Sequence, residues 1–259
     1  MSDFDYGPHL LVDVRDGVGV ITLNRTEKLN ALTSEMLLGL SNALKKLGHR
    51  EDIIGIVVTG NGRAFTAGHD LSRSNLATDL DGVREAAEAF HQVTLSCLEA
   101  QVPTIAAVNG IAVGGGFELT LAFDRRIGTP QTSVYLPENS LGLVISNASS
   151  LLLERAMGAS AALDMVLGSR RFNSKEALAK GILDELVDGD PVLAAVERIH
   201  EYTSPDSSGP EHLRLLRPEP SEVRAAMDRE TEAAISAWGR GSTSRSVERQ
   251  WGAKHPTSE

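Results

Sequence analysis

Apolar residues fall into two alternating patterns along this chain. The first is the short unbroken run: Val18 to Leu23, Ile53 to Thr59 and Thr104 to Val108. Such runs predict strands buried on both faces, as in a parallel sheet. The second is helical spacing. Met36, Leu37, Leu40, Leu44 and Leu47 predict a helix capped by Thr33 or Ser34 and ended by Gly48. Another helix is expected over Val83 to Leu98 and a short one over Phe117 to Phe123, with a short strand over Arg125 to Gly128. Strand, helix, strand, helix is the rhythm of right-handed βαβ units.

The later part reads as more helical. Helices are expected over Ser149 to Met157, Ala161 to Leu167 and Ser174 to Lys180, the last closed by Gly181. Pro191 suits the first turn of the next helix. The polar stretch Thr203 to Pro210 is the best linker. Beyond it, Ser221 is placed to cap a helix carrying Val223, Met227, Ile235 and Trp238, and a last short helix holds Val247 and Trp251. This divides the chain into a core over residues 1–202 and a helical region over 203–259.

Composition narrows the picture. The 259 residues suffice for one large α/β domain. Aromatics are only 4%, so the core is mostly aliphatic, and 24 glycines supply the tight turns. A net charge of −10 argues against nucleic-acid binding, and an anionic ligand needs a local basic patch. Cys97, the only cysteine, excludes an intrachain disulfide and suits a packing role. No basic start with an apolar stretch and no run of about eighteen apolar residues occurs, so no signal peptide or membrane span is expected and a reducing cytoplasm is the default. The seven histidines are scattered without metal-ligand spacing, so no metal is expected. No Ser or Cys sits in a nucleophile elbow.

Four segments carry candidate chemistry, three of them at the ends of buried strands. In Arg63 to Leu71, small residues at Ala67 and Gly68 let a ligand approach the backbone; alone, the segment also suits a surface turn capped by Asp70. In Asn109 to Leu119, Gly114, Gly115 and Gly116 precede a helix and expose N–H donors suited to a developing oxyanion. Close helix–strand packing is the plainer alternative. Neither a dinucleotide fingerprint nor a phosphate loop fits, because Gly110 lies four residues before Gly114 and no Lys follows. Glu118 and Glu138 form a potential acid–base pair only if the fold brings them to one pocket. In Leu23 to Leu32, Arg25 and Lys28 are either phosphate contacts or solvated surface cations.

Together and in order, these segments resemble the enoyl-CoA hydratase/isomerase (crotonase) superfamily. Matching stretches are Ile21 to Arg25, Lys28 to Leu32, Ala64-Phe65, Ala67 to Leu71, Ala107 to Gly110, Gly114 to Leu119, Asp124, Pro137-Glu138, Leu141 to Leu143, Gly158, Gly168, Glu176-Ala177 and Gly181-Ile182. The match covers roughly residues 10–190. The resemblance implies an α/β fold: a crotonase-type spiral of repeated ββα units with a helical C-terminal trimerisation region, assembled as trimers or dimers of trimers. It implies an oxyanion hole from the N–H groups of His69 and Gly115. Glu118 would activate water for attack at the β-carbon, and Glu138 would protonate the α-carbon. Implied acyl-CoA contacts are Arg25, Lys28, Ala31, Ala67, His69, Asp70, Leu71, Gly114 and Gly115. Coenzyme A enters as part of the substrate, with no separate cofactor. Residues from about Asp79 to Leu98, including Phe90 and His91, would wall the pocket.

Hydration of a 2-enoyl-CoA is favoured because both acids are present. Two departures from the family pattern weaken that inference, and a further one lies near the C-terminus. Ile145 to Ser149 stands where hydratases carry a Pro-Gly-x-Gly-Gly turn, Tyr135 replaces the glycine near Pro137-Glu138, and the C-terminal aromatic and basic pair is echoed only by Trp251 and Lys254. The alternatives are Δ3-Δ2 isomerisation, retro-aldol or hydrolytic cleavage, and acyl-CoA binding without turnover.

Overall fold

A computed structural model describes residues 6–70, 80–204 and 207–240. Six strands form one sheet in the order β1 (Leu10–Arg15), β2 (Val18–Leu23), β3 (Gly55–Gly60), β5 (Thr104–Val108), β7 (Arg125–Gly128) and β10 (Glu185–Leu186). All neighbours are parallel except the β1–β2 hairpin. A second sheet has the order β4 (Ala64–Thr66), β6 (Ile111–Val113), β8 (Ser133–Tyr135) and β9 (Arg171–Asn173). Strands β3, β5 and β7 are each followed at once by the next strand of the second sheet, and β4 and β6 then lead to helices α2 (Leu80–Leu98) and α3 (Gly115–Thr120). This is the expected spiral of ββα units.

The unbroken runs mark a sheet covered on both faces. Val57, Ile105, Ala107 and Ile127 pack with Val192, Ala195 and Ile199 of α7 (Pro191–Tyr202). Their neighbours Ile56, Val58, Ala106 and Val108 face the main core with α1 (Ser34–Gly48) and α2. Thr33 caps α1 by accepting the Met36 N–H at 3.2 Å. The remaining helices are α4 (Ser149–Met157), α5 (Ala159–Gly168), α6 (Ser174–Ala179), α8 (Gly209–Leu216) and α9 (Pro220–Gly239).

Several expectations change. Strand β1 lacks a sequence signal because it is an edge strand with four of its six residues exposed; the Asp16-Gly17 turn, both residues at positive φ, joins it to β2. The short strands of the second sheet offer only three residues each, too few to show a period. Helix α6 is capped by Asn173 in a capping box with Glu176. Ser221 does not cap α9: Pro220, with no N–H to satisfy, takes the first helical position and puts Ser221 inside the helix. Helix α8 begins at Gly209, so Pro210 belongs to its first turn. The expected helix holding Val247 and Trp251, and Lys254, lie outside the described residues, as does Leu71.

Candidate active site

The site forms where the chain leaves β4 and where α3 begins. After β4, Leu32 donates its N–H to Gly68 O at 2.7 Å and accepts the Asp70 N–H at 2.9 Å. In this parallel bridge the residue between, His69, turns its own N–H to the other side. On the α3 side, the Gly114 N–H goes to Tyr135 O at 2.9 Å and the Glu118 N–H to Gly114 O. Gly115 is the first residue of α3, where helical N–H groups have no partner inside the helix. Among the described residues, neither the His69 nor the Gly115 N–H has an acceptor.

The two segments are pressed together, which explains their small residues. A Cβ at Gly116 would lie 2.3 Å from Thr66 Cγ2 and 3.1 Å from the Gly68 Cα. A Cβ at Gly68, which has φ +87°, would lie 2.5 Å from Val113 O. His69 and Gly115 both line one cavity of about 130 Å³, together with Glu118 and Glu138.

Glu118 is 1% exposed. Its Oε1 accepts the Ser146 N–H at 2.7 Å, and its Oε2 accepts the Ser146 hydroxyl at 2.7 Å and the Asn147 amide at 3.1 Å. Glu138 begins a single 3-10 turn after Pro137 and is also buried. Its carboxylate lies against Gly114, where a Cβ would meet Oε1 at 2.8 Å, and its Oε2 has no partner. Burial raises both carboxyl groups, and for Glu118 the nearby Glu138 adds to the rise; Glu138 is pushed up to about 7. Two such acids do not ionise together readily. The three donors on Glu118 favour its charged form, and repulsion between the two carboxylates makes the pair hold its second proton more tightly than its first.

Helix α2 supplies Val83, Ala86, Ala87 and Phe90 to the cavity wall. Phe90 meets His69 edge-on at 5.6 Å between ring centres. Burial lowers the His69 imidazole, more than Asp70 restores it, so the ring is neutral. His91 does not line the cavity; its Nδ1 lies 4.0 Å from Glu88 Oε2. From the far end of the chain, α9 adds Ala234, Ala237 and Trp238. The sequence marked Trp238 only as an apolar helix position; nothing local signalled that α9 would fold back onto α2.

The other candidate residues are placed differently. Arg25 is neither solvated nor turned to the surface: its Nη1 donates to Asp70 at 2.7 Å and to Ala31 O at 2.9 Å, both partners being buried or half-buried. It braces the 67–70 loop from behind. Lys28 is exposed, on the 3-10 turn Thr26–Lys28, and is the outward cation of that segment. Ala67 donates its N–H to Leu29 O at 2.9 Å, which docks the two loops together. The Tyr135 ring packs under Arg171, with the guanidinium 5.4 Å from the ring centre, while its carbonyl holds Gly114. Asn30, which sequence reasoning did not single out, is fully buried and donates to Asn61 O, Ala64 O and Phe65 O, tying the 25–32 loop to β4 and the turn before it. Cys97 is buried and its thiol pushed up to about 12, as suits a packing residue.

Known proteins resemble this chain in sequence and in fold. The family described as Enoyl-CoA hydratase/isomerase matches residues 13–237. The probable enoyl-CoA hydratase of Mycobacterium leprae is 35% identical over 190 residues, 73% of either chain. The ethylmalonyl-CoA decarboxylase of Mus musculus is 30% identical over 247 residues, 92% of this chain and 76% of that one. The crystal structure of an enoyl-CoA hydratase/isomerase from Pseudoalteromonas atlantica superposes with a TM-score of 0.83 at 28% identity, covering 97% of this chain and all of the other. The chain belongs to the enoyl-CoA hydratase/isomerase family, and its fold is the crotonase fold.

Proposed function

We propose that the protein is an enoyl-CoA hydratase that adds water across the 2,3 double bond of a 2-enoyl-CoA. The carrying observation is one cavity lined by His69 and Gly115, whose N–H groups have no acceptor among the described residues, and by two buried carboxyl groups that burial raises above their ordinary range. The thioester oxygen accepts the N–H groups of His69 and Gly115, which stabilise it as it takes on enolate charge. The Glu118 carboxylate takes a proton from water as the water oxygen bonds to the β-carbon. The α-carbon then takes the proton of Glu138. A carboxylate offers about four lone-pair sites. The turn at Ser146 and Asn147 fills three of them, counting one bond on Oε1 and two on Oε2. One site is left for the water. In this reading coenzyme A is part of the substrate, Lys28 is the outward charge for its phosphates, and the active form is a homotrimer or a dimer of trimers.

A second reading has support of its own. The same donors that orient Glu118 also occupy it, and the match to ethylmalonyl-CoA decarboxylase spans more of this chain than the hydratase match. A reaction that needs only the enolate and one proton donor, decarboxylation or double-bond migration, would use the His69 and Gly115 amides with Glu138 alone. Mass spectrometry of the products from a 2-enoyl-CoA and ethylmalonyl-CoA, with the absorbance of the conjugated double bond followed on a 3-enoyl-CoA because migration leaves the mass unchanged, separates the readings. Gain of water on the 2-enoyl substrate supports hydration. Conversion of only the second or third substrate would replace it.

A further inference from the structure

The turn that grips Glu118 is itself gripped from the other side. Asn147 and Ala148 are fully buried and sit at φ +63° and +60°, a left-handed conformation disfavoured for residues with a Cβ. They precede α4, whose N-cap position is Ala148, a residue with no polar side chain to cap the helix. The cap comes instead from α9. Glu230, 4% exposed, accepts the Ala148 N–H through Oε2 at 2.8 Å and the Ser150 N–H through Oε1 at 2.7 Å. One turn is thus clamped between two carboxylates, with Glu118 bound at 146–147 and Glu230 at 148 and 150.

We propose that Glu230 is a positioning residue, which holds the Ser146–Ser150 turn in the conformation from which Ser146 and Asn147 orient Glu118. This rests on the reading of Glu118 as the water-activating base. It makes α9 more than a wall: the helix that supplies Trp238 to the cavity also sets the geometry of the base. A strained turn between two elements persists only when its surroundings over-determine it, and here Glu230 does so. It is why this chain can do without the glycines expected at the turn.

The charged groups around Glu118 are Glu138, from the 3-10 turn, and Glu230, from α9; Arg229 acts on Glu230 from its own helix. Loss of Glu230 therefore has two opposed consequences. Removing an anion makes Glu118 easier to ionise. Releasing the turn withdraws the donors that stabilise its carboxylate and makes it harder to ionise. Positioning predicts that the second wins.

The test is a carboxyl-carbon NMR titration of Glu118 in the full chain without substrate, its signal assigned by loss in Glu118→Gln. In Glu230→Ala the midpoint is expected about one pH unit above the wild type. On a 2-enoyl-CoA, kcat is expected to fall by about 10-fold or more with little change in KM. Glu222→Ala removes another α9 carboxylate, one facing Arg155 of α4 at the surface, and is expected to leave the titration unchanged. Glu230→Gln keeps the side-chain shape should the alanine variant not fold. It is expected to speed amide exchange at Ala148 and Ser150 by about 10-fold or more. A Glu118 midpoint at or below the wild type in Glu230→Ala, or wild-type exchange in Glu230→Gln, would overturn the proposal. The titration and exchange need no turnover. If the chain proves not to be a hydratase, they still report on Glu230.

Discussion

Glu118 and Glu138 share a cavity but not an environment. Glu118 accepts three hydrogen bonds, while Glu138 leaves Oε2 without a partner and is held near 7. A base must be ionised and an acid protonated, so activity requires the pair to have lost one proton and kept the other. A plot of kcat/KM against pH is therefore expected to be bell-shaped, rising as the pair loses its first proton and falling at higher pH as it loses the second, both steps lying above the ordinary carboxylate range because burial and repulsion raise them. A profile flat from pH 6 to 9 would show that Glu138 does not supply a proton. Residue types and order made both acids visible in the sequence. Their convergence was not visible, because it depends on the 3-10 turn at Glu138 folding back against Gly114.

At the scale of elements, one side chain ties three segments together. Arg217, between α8 and α9, donates through Nε and Nη2 to both oxygens of Asp124, at 2.8 and 2.6 Å, and also to the carbonyls of Leu98, Ala100 and Val102. Asp124 in turn accepts the Thr104 N–H at 2.7 Å at the start of β5. Removing one partner of a mostly buried ion pair typically costs about 3–5 kcal/mol. Arg217→Ala is therefore expected to lower Tm by about 10 °C in a calorimetric scan; a change under about 2 °C would show that the C-terminal helices dock without it. The buried strands β2, β3 and β5 and helices α1 and α4 were legible because their patterns are long. The three-residue strands of the second sheet, the exposed strand β1 and the cap at Glu230 were not, because each depends on a partner remote in sequence or on a span too short to show a period; the Asn173-Glu176 capping box is a local signature that sequence reasoning passed over.

On the scale of the whole molecule, the ββα spiral explains why loops far apart in sequence meet. Successive strands of the second sheet lie side by side, so the 67–70 loop after β4 and the glycines after β6 become neighbours. Helix α9 then packs on α2 and α4 and closes the cavity with Ala234, Ala237 and Trp238. No helix among the described residues is long and apolar enough to cross a membrane. Leu215 and Leu216 at the end of α8 are 78% and 75% exposed, leaving an apolar edge on the single chain. Sedimentation equilibrium is expected to give three or six times the 27.7 kDa chain mass; a monomer at micromolar concentration would contradict that assembly.

The most direct measurement follows the absorbance of the conjugated double bond of crotonyl-CoA with the wild type and with Glu118→Gln. Glutamine keeps the shape of Glu118 but cannot take a proton from water. The wild type should consume the double bond, with the rate of the variant lower by about 10²-fold or more. A variant that hydrates at the wild-type rate would contradict the two-carboxylate mechanism.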